Sequence, residues 1–139
     1  MAAAGSPNVA GGVSTDEAAR KLEAARERGG LLYRIRCAAC HGVEARGDGP
    51  LATDLTTPPA DLTRLRRSDE AEFPATRLRV AMDGRQEVRG HGSREMPVWG
   101  LAFQEEGRVG SQEAEVRDQI DDLLAFLETI QESDSVEPD

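Results

Sequence analysis

Aromatic side chains are scarce in this sequence: one Trp, one Tyr and three Phe make up 4% of 139 residues. The flat rings that usually fill an interior of this size are therefore few, and a chain of this length buries only about two-thirds of its unfolded surface. Its own core is thin, which leaves room for something other than side chains. Long apolar runs are missing as well. None approaches the roughly 20 residues of a membrane-spanning helix, and the N-terminal stretch MAAAGSPNVAGGVST has neither the basic nor the apolar region of an export signal. The chain reads as soluble, and for an extracytoplasmic protein the signal or anchor is not present in this sequence. Alternating Val, Ile and Thr runs are absent, which leaves no candidate strands, and there is no internal repeat.

Charge is present but unevenly placed. The net charge of −9 comes almost wholly from residues 101–139, with 2 basic and 12 acidic groups, whereas residues 30–100 carry 11 and 10. A nucleic-acid-binding domain needs a net basic footprint, so nucleic acid is not expected as a partner. The acidic end reads as a solvated helix face followed by a disordered tail, residues 132–139. The middle is nearly neutral and rich in arginine.

What remains is helix and loop. Residues 1–13 are small and without periodicity, a flexible segment ahead of a domain spanning residues 14–131. Ser14 and Glu17 form a capping-box pair ahead of Ala18, Leu22, Ala25, Gly29, Leu32 and Tyr33 at helical spacing. Gly29 and Gly30 either break that helix or admit a second one close to its backbone. Residues 42–59 are punctuated by Gly, Asp, Thr and Pro and read as loop. Asp61 is placed to cap a short helical turn through Arg67; Pro74–Asp83 reads as a helix stopped by Gly84. Residues 84–95 form another loop. A long last helix, capped near Ser111, carries the stripe Val116, Ile120, Leu123, Leu124, Leu127 and Ile130.

Both cysteines and one of the two histidines fall within five residues, Cys37-Ala38-Ala39-Cys40-His41. Cysteines at i and i+3 on a helical turn share a face, with the histidine at the end of that turn. Cys-x-x-Cys-His is the attachment signature of a c-type haem, in which both thiols add to porphyrin vinyl groups and the imidazole binds iron. Three other readings compete. A zinc site from Cys37, Cys40, His41 and His91 would strain the tetrahedron and lacks the usual spaced histidine pair. A thioredoxin-like dithiol requires a βαβ context. A plain disulfide leaves His41 and the thin core unexplained.

From about Gly29 to Gln131 the chain resembles monohaem class I cytochromes c of bacterial type. Gly29 and Tyr33 stand eight and four residues before Cys37, at the family's glycine and aromatic positions. The resemblance implies an all-α fold with the N- and C-terminal helices crossing at that glycine, against Leu123, Phe126 and Leu127, and shorter helices and loops wrapped around one haem c attached through Cys37 and Cys40. It makes His41 the proximal ligand. GDGP resembles the family's Gly-Pro segment, which implies that the Pro50 carbonyl accepts the hydrogen bond of the proximal imidazole; Pro58 and Pro59 are the substitutes.

For the sixth iron position the candidates are Met82, Met96 and His91. Met82 falls in a helical segment and suits a core packing role. Met96 stands in REMPVWG, a string similar to the family's distal-ligand loop, which implies a thioether ligand there and places Trp99 near the cofactor as a donor to a propionate, with simple packing as its other role. His91 is the reserve. Arg85, Arg89 and Arg94 are candidates for propionate pairing or for a docking surface, though an exposed arginine without a specific task is the plainer expectation.

With both axial positions taken by protein groups, the expected activity is one-electron transfer without transformation of a substrate. A haem sensor or peroxidase-like enzyme with a labile sixth ligand is the alternative. The expected partners are redox proteins, such as a quinol-oxidising complex, a dehydrogenase or a terminal oxidase, met either by a soluble carrier or by a haem domain of a membrane complex; the arginine-rich middle suggests an acidic patch on the partner. The resemblance implies a periplasmic location or the outer face of the bacterial cytoplasmic membrane.

Overall fold

The computed structural model describes residues 14–85, 95–106 and 112–133. Helix α1 spans Thr15–Arg36. It starts where the capping pair predicts, with the Ser14 hydroxyl accepting the N–H of Glu17 at 3.2 Å. Asp16 and Glu17 in its first turn and Arg34 and Arg36 in its last complement the helix dipole. The Gly29-Gly30 pair does not interrupt it. A Cβ on Gly29 would stand 1.9 Å from the Asp122 carbonyl oxygen, and one on Gly30 would stand 3.3 Å from the Phe126 ring. The two glycines are thus a notch in which the last helix, α5 (Gln112–Thr129), crosses the first.

Around that crossing lies the core. Tyr33 from α1 meets Phe126 with ring centroids 5.3 Å apart, and Val116, Ile120, Leu123, Leu124 and Leu127 of α5 are all buried. Between the outer helices come α2 (Ala38–His41), a 3₁₀ turn at Ala52–Asp54, α3 (Ala75–Asp83) and α4 (Trp99–Glu106). The third of these helices follows the expected pattern, with Pro74 before it and Gly84 ending it in a left-handed conformation at φ 69°. It contributes Leu78 and Met82 to the core, and α4 contributes the fully buried Phe103. No strand occurs among the described residues; the fold is all-α.

One expectation is corrected. The segment from Asp61 to Arg67 is not helical, because Asp61 Oδ1 accepts from both the N–H and the hydroxyl of Thr63, at 2.9 and 2.5 Å, a local bond that competes with helix continuation. Helix α4 was not legible as one. At the end of the described residues the Gln131 side chain bonds to Leu62 O, Leu65 N and Leu127 O, and the Glu132 N–H donates to Thr63 O at 2.8 Å.

The acidic face of the C-terminal third is solvated, as expected, with Glu113 70% and Asp121 46% exposed, and several of its carboxylates are paired. Arg28 makes a two-pronged pair with Asp122 at 2.9 and 3.0 Å. Arg79 pairs with Asp121, Arg36 with Glu106, and Arg46 with Glu132. Arg85 is shared between Asp83 and Glu113, so it is neither a free docking arginine nor an idle one. Arg36, Arg46, Arg79 and Arg85 thus meet carboxylates of the C-terminal third. Each exposed pair contributes little, about 0–1 kcal/mol.

Candidate functional site

Cys37 stands at the junction of α1 and α2. Its N–H donates to Tyr33 O at 2.8 Å, and its carbonyl accepts from Cys40 and His41 at 3.2 and 2.9 Å. One hydrogen-bonded turn therefore holds both sulfurs and the imidazole. The turn ends at α2 after four residues, which leaves carbonyls in need of donors. Residues after the motif supply them: Gly47 N–H donates to His41 O, Gly49 N–H to Cys40 O and Leu51 N–H to Ala39 O, at 2.8, 3.0 and 2.9 Å.

That wrapping overturns the role expected of Pro50. Having no N–H, it is passed over between two donors and lies exposed. The GDGP segment caps the end of α2. Instead, His41 Nδ1 is 3.0 Å from the carbonyl oxygen of Ala60, immediately after the Pro58-Pro59 pair. A carbonyl only accepts, so the proton sits on Nδ1 and the lone pair on Nε2 is available to a metal. Gly47 makes this approach possible: it has φ 84°, and a Cβ there would lie 2.4 Å from Pro59 O. The Leu62 N–H, donating to Ala45 O at 2.7 Å, fixes the same two loops a few residues on.

Cys37, Cys40 and His41 line a cleft of about 400 Å³ together with Leu55, Pro58, Pro59, Ala60, Met96, Pro97 and Trp99, mostly apolar groups, and its volume falls in the range of small-molecule sites. Both thiols are free. Burial, reinforced by Cys40, pushes the Cys37 thiol up to about 11. A redox dithiol relies on an acidified thiol; this one is held neutral. Among the described residues no three His, Cys, Asp or Glu side chains converge to hold a metal ion by themselves.

The loop bearing Met96 enters the cleft from the other end of the sequence. Glu95 Oε1 and Oε2 accept the consecutive N–H groups of Thr56 and Thr57 at 2.7 and 3.0 Å, and these bonds hold the carboxyl below its usual range. Pro97 restricts Met96 to extended backbone. Trp99 opens α4, lines the cleft and stacks on Phe103 at 5.7 Å. Met82 is buried in the core, away from the cleft lining. His91, Arg89 and Arg94 lie outside the described residues. Sequence reasoning missed Ala60, which acts through a backbone carbonyl that every residue type carries, and Glu95, whose only signal was its place beside Met96.

The residues present fit a haem c. Two free thiols and an imidazole with a directed Nε2 lone pair share one mostly apolar cleft with a thioether. An all-α fold with its first and last helices crossed at a glycine, and Cys-x-x-Cys-His on the cleft wall, defines a class I c-type cytochrome domain. The chain belongs to the family described as cytochrome c oxidase, cbb3-type, subunit III, whose model matches residues 24–109. Neither the curated proteins nor the solved structures compared with the chain yield a match.

Proposed function

We propose that the protein is a one-electron carrier domain in which Cys37 and Cys40 hold one haem c, with His41 as its proximal and Met96 as its distal ligand. The bound haem supplies a reversible Fe(III)/Fe(II) couple. The protein's own groups do the rest. Ala60 fixes the tautomer and orientation of His41 and raises its basicity as a ligand. Leu55, the Pro58-Pro59 pair and Trp99 keep the cleft apolar, and the Trp99 indole is a donor for a propionate. The reading is carried by one observation: Cys37, Cys40, His41 and Met96 all line a single cleft.

The family description supports association with an oxidase complex, and such domains typically work in the periplasm or on the outer face of the membrane. No helix among the described residues is long and apolar enough to cross a membrane. The test is the visible spectrum of the protein matured with haem, beside Met96→Ala. A covalently retained low-spin haem with a far-red sulfur-to-iron band, lost in the variant, is the expected result; a low-spin spectrum lacking that band and unchanged in the variant transfers the distal role to His91. A second reading, a gas sensor or peroxidase-like centre, rests on the 36% exposure of Met96. CO binding by the unmodified ferrous protein favours it over the carrier.

A further inference from the structure

One loop, residues 55–60, touches both halves of the site. Its Ala60 carbonyl accepts from His41 Nδ1 at 3.0 Å. Its Thr56 and Thr57 N–H groups, four and three residues earlier, donate to Glu95, the residue before Met96. The bonds span 38 and 39 residues of sequence, so they are a tertiary fastening and not a turn. A carboxylate accepting two adjacent backbone N–H groups, one on each oxygen, is charge-assisted and fixed in direction. On the other side of Met96, Pro97 removes backbone freedom and α4 begins at Trp99. Met96 is therefore held between a clamp and a helix start, and the clamp closes onto the loop that orients the histidine.

We infer that Glu95 is a positioning residue for the distal thioether: its carboxylate fastens the Met96 segment to the Thr56-Thr57 backbone and so sets how firmly Met96 is presented to the cleft. The inference rests on the reading of Met96 as distal ligand and adds a residue to which neither the motif nor the family description gives a role. Glu95 lines the same cleft, but both of its carboxylate oxygens are engaged by the Thr56 and Thr57 N–H groups. It acts through the backbone on either side of one peptide bond, and Gln, which keeps one acceptor oxygen but brings an NH₂ group against the second N–H, is expected to preserve only part of the effect.

The experiment uses the haem-loaded protein, its Glu95→Ala and Glu95→Gln variants, and Met96→Ala as control. The readouts are the far-red sulfur-to-iron band, the reduction potential and the affinity of the ferric protein for added imidazole, a probe that competes with the thioether. Loss of the clamp shifts the bound-to-released equilibrium of Met96 toward release, and imidazole affinity is expected to rise by about tenfold in Glu95→Ala. A smaller rise is expected in Glu95→Gln, with a weakened band and a lowered potential in both and haem attachment unchanged. A merely structural surface carboxylate would alter the unfolding temperature without moving these three. If Met96→Ala abolishes the band but both Glu95 variants keep the band, potential and imidazole affinity of the parent, the positioning role is overturned. If Met96→Ala itself changes nothing, the ligand assignment beneath it fails. Should Glu95→Ala not mature, Glu95→Gln alone decides between the first two results.

Discussion

The crossing of α1 and α5 and the rim of the cleft are built by opposite means. At the crossing, backbone meets backbone through the absence of a side chain at Gly29, and the contact is sealed by Tyr33, Leu123 and Leu127, all 4% exposed or less. At the rim, two loops are joined by hydrogen bonds from Thr56 and Thr57 to a carboxylate at the surface. The first arrangement has no tolerance for added atoms and little sensitivity to solvent. The second has space but depends on charge and water. The difference places the cysteines and His41, in the turn that follows α1, on the rigid part, and Met96 on the adjustable part. Attachment and ligation are thereby given separate supports.

The contrast breaks most sharply at Gly29. Gly29→Ala puts a methyl group into the Asp122 carbonyl, and because backbone cannot swing aside as a side chain can, a loss of roughly 3 kcal/mol is expected. For a domain of this size that is about 10 °C in thermal unfolding of the haem-loaded protein. Tyr33→Phe tests the link from crossing to site. Its hydroxyl donates to Gly42 O at 2.6 Å in a buried setting, and leaving that carbonyl unpaired is expected to cost about 1–2 kcal/mol by denaturant unfolding, without altering the sulfur-to-iron band. Met96→Ala, on the rim, removes an exposed side chain, so the packing share of its loss should be under about 1 kcal/mol, with the lost iron ligand as the remainder. An equal loss from Met96→Ala and Gly29→Ala would erase the distinction between the two regions.

The smallest effect separates them by pH. Asp61, Glu70, Asp83 and Glu132 are held below the ordinary carboxylate range, chiefly by side-chain hydrogen bonds from Thr63, Arg77, Arg85 and Arg46. A depressed folded-state value means their stabilisation is present above about pH 4 and is lost as pH falls through the depressed values. Amide exchange should therefore quicken first in residues 61–72 and near Glu132 below about pH 4, while the α1–α5 crossing stays protected. Simultaneous loss of protection would show the loops and the crossing to be one cooperative unit.

How much of this was readable in advance follows the same division. Side-chain periodicity and backbone punctuation are written in residue types, so α1, α3 and α5 were legible: Ser14 with Glu17, Pro74 with Gly84, and the stripe from Val116 to Leu127 each name a local cause. The glycine notch, as against a break in the helix, came only with the family resemblance. The five-residue motif was legible because thiol and imidazole chemistry admits few spacings. The acceptor for His41 was not, since a carbonyl leaves no mark on the sequence; the resemblance pointed to Pro50, and the donors that cap α2 drew that segment elsewhere. Helix α4 was hidden by Gly100 in its first turn, a poor helix former, placed where a Cβ would meet Asp83 Oδ1 at 2.3 Å. The pairing of early arginines with late carboxylates was equally invisible, as it depends on the ends of the chain coming together. The family match ends at residue 109, before α5 begins, although α5 supplies half the core.

Because the notch on the first helix is filled by α5, closure of this domain depends on segments 94 residues apart, as the Arg28–Asp122 pair marks. Contacts this distant in sequence form late and slowly. Until α5 docks, Tyr33 lacks the cover of Val116, Ile120 and Leu123, and the helix that leads into Cys37 is not yet fixed. The motif is therefore a local turn whose support arrives from far along the chain.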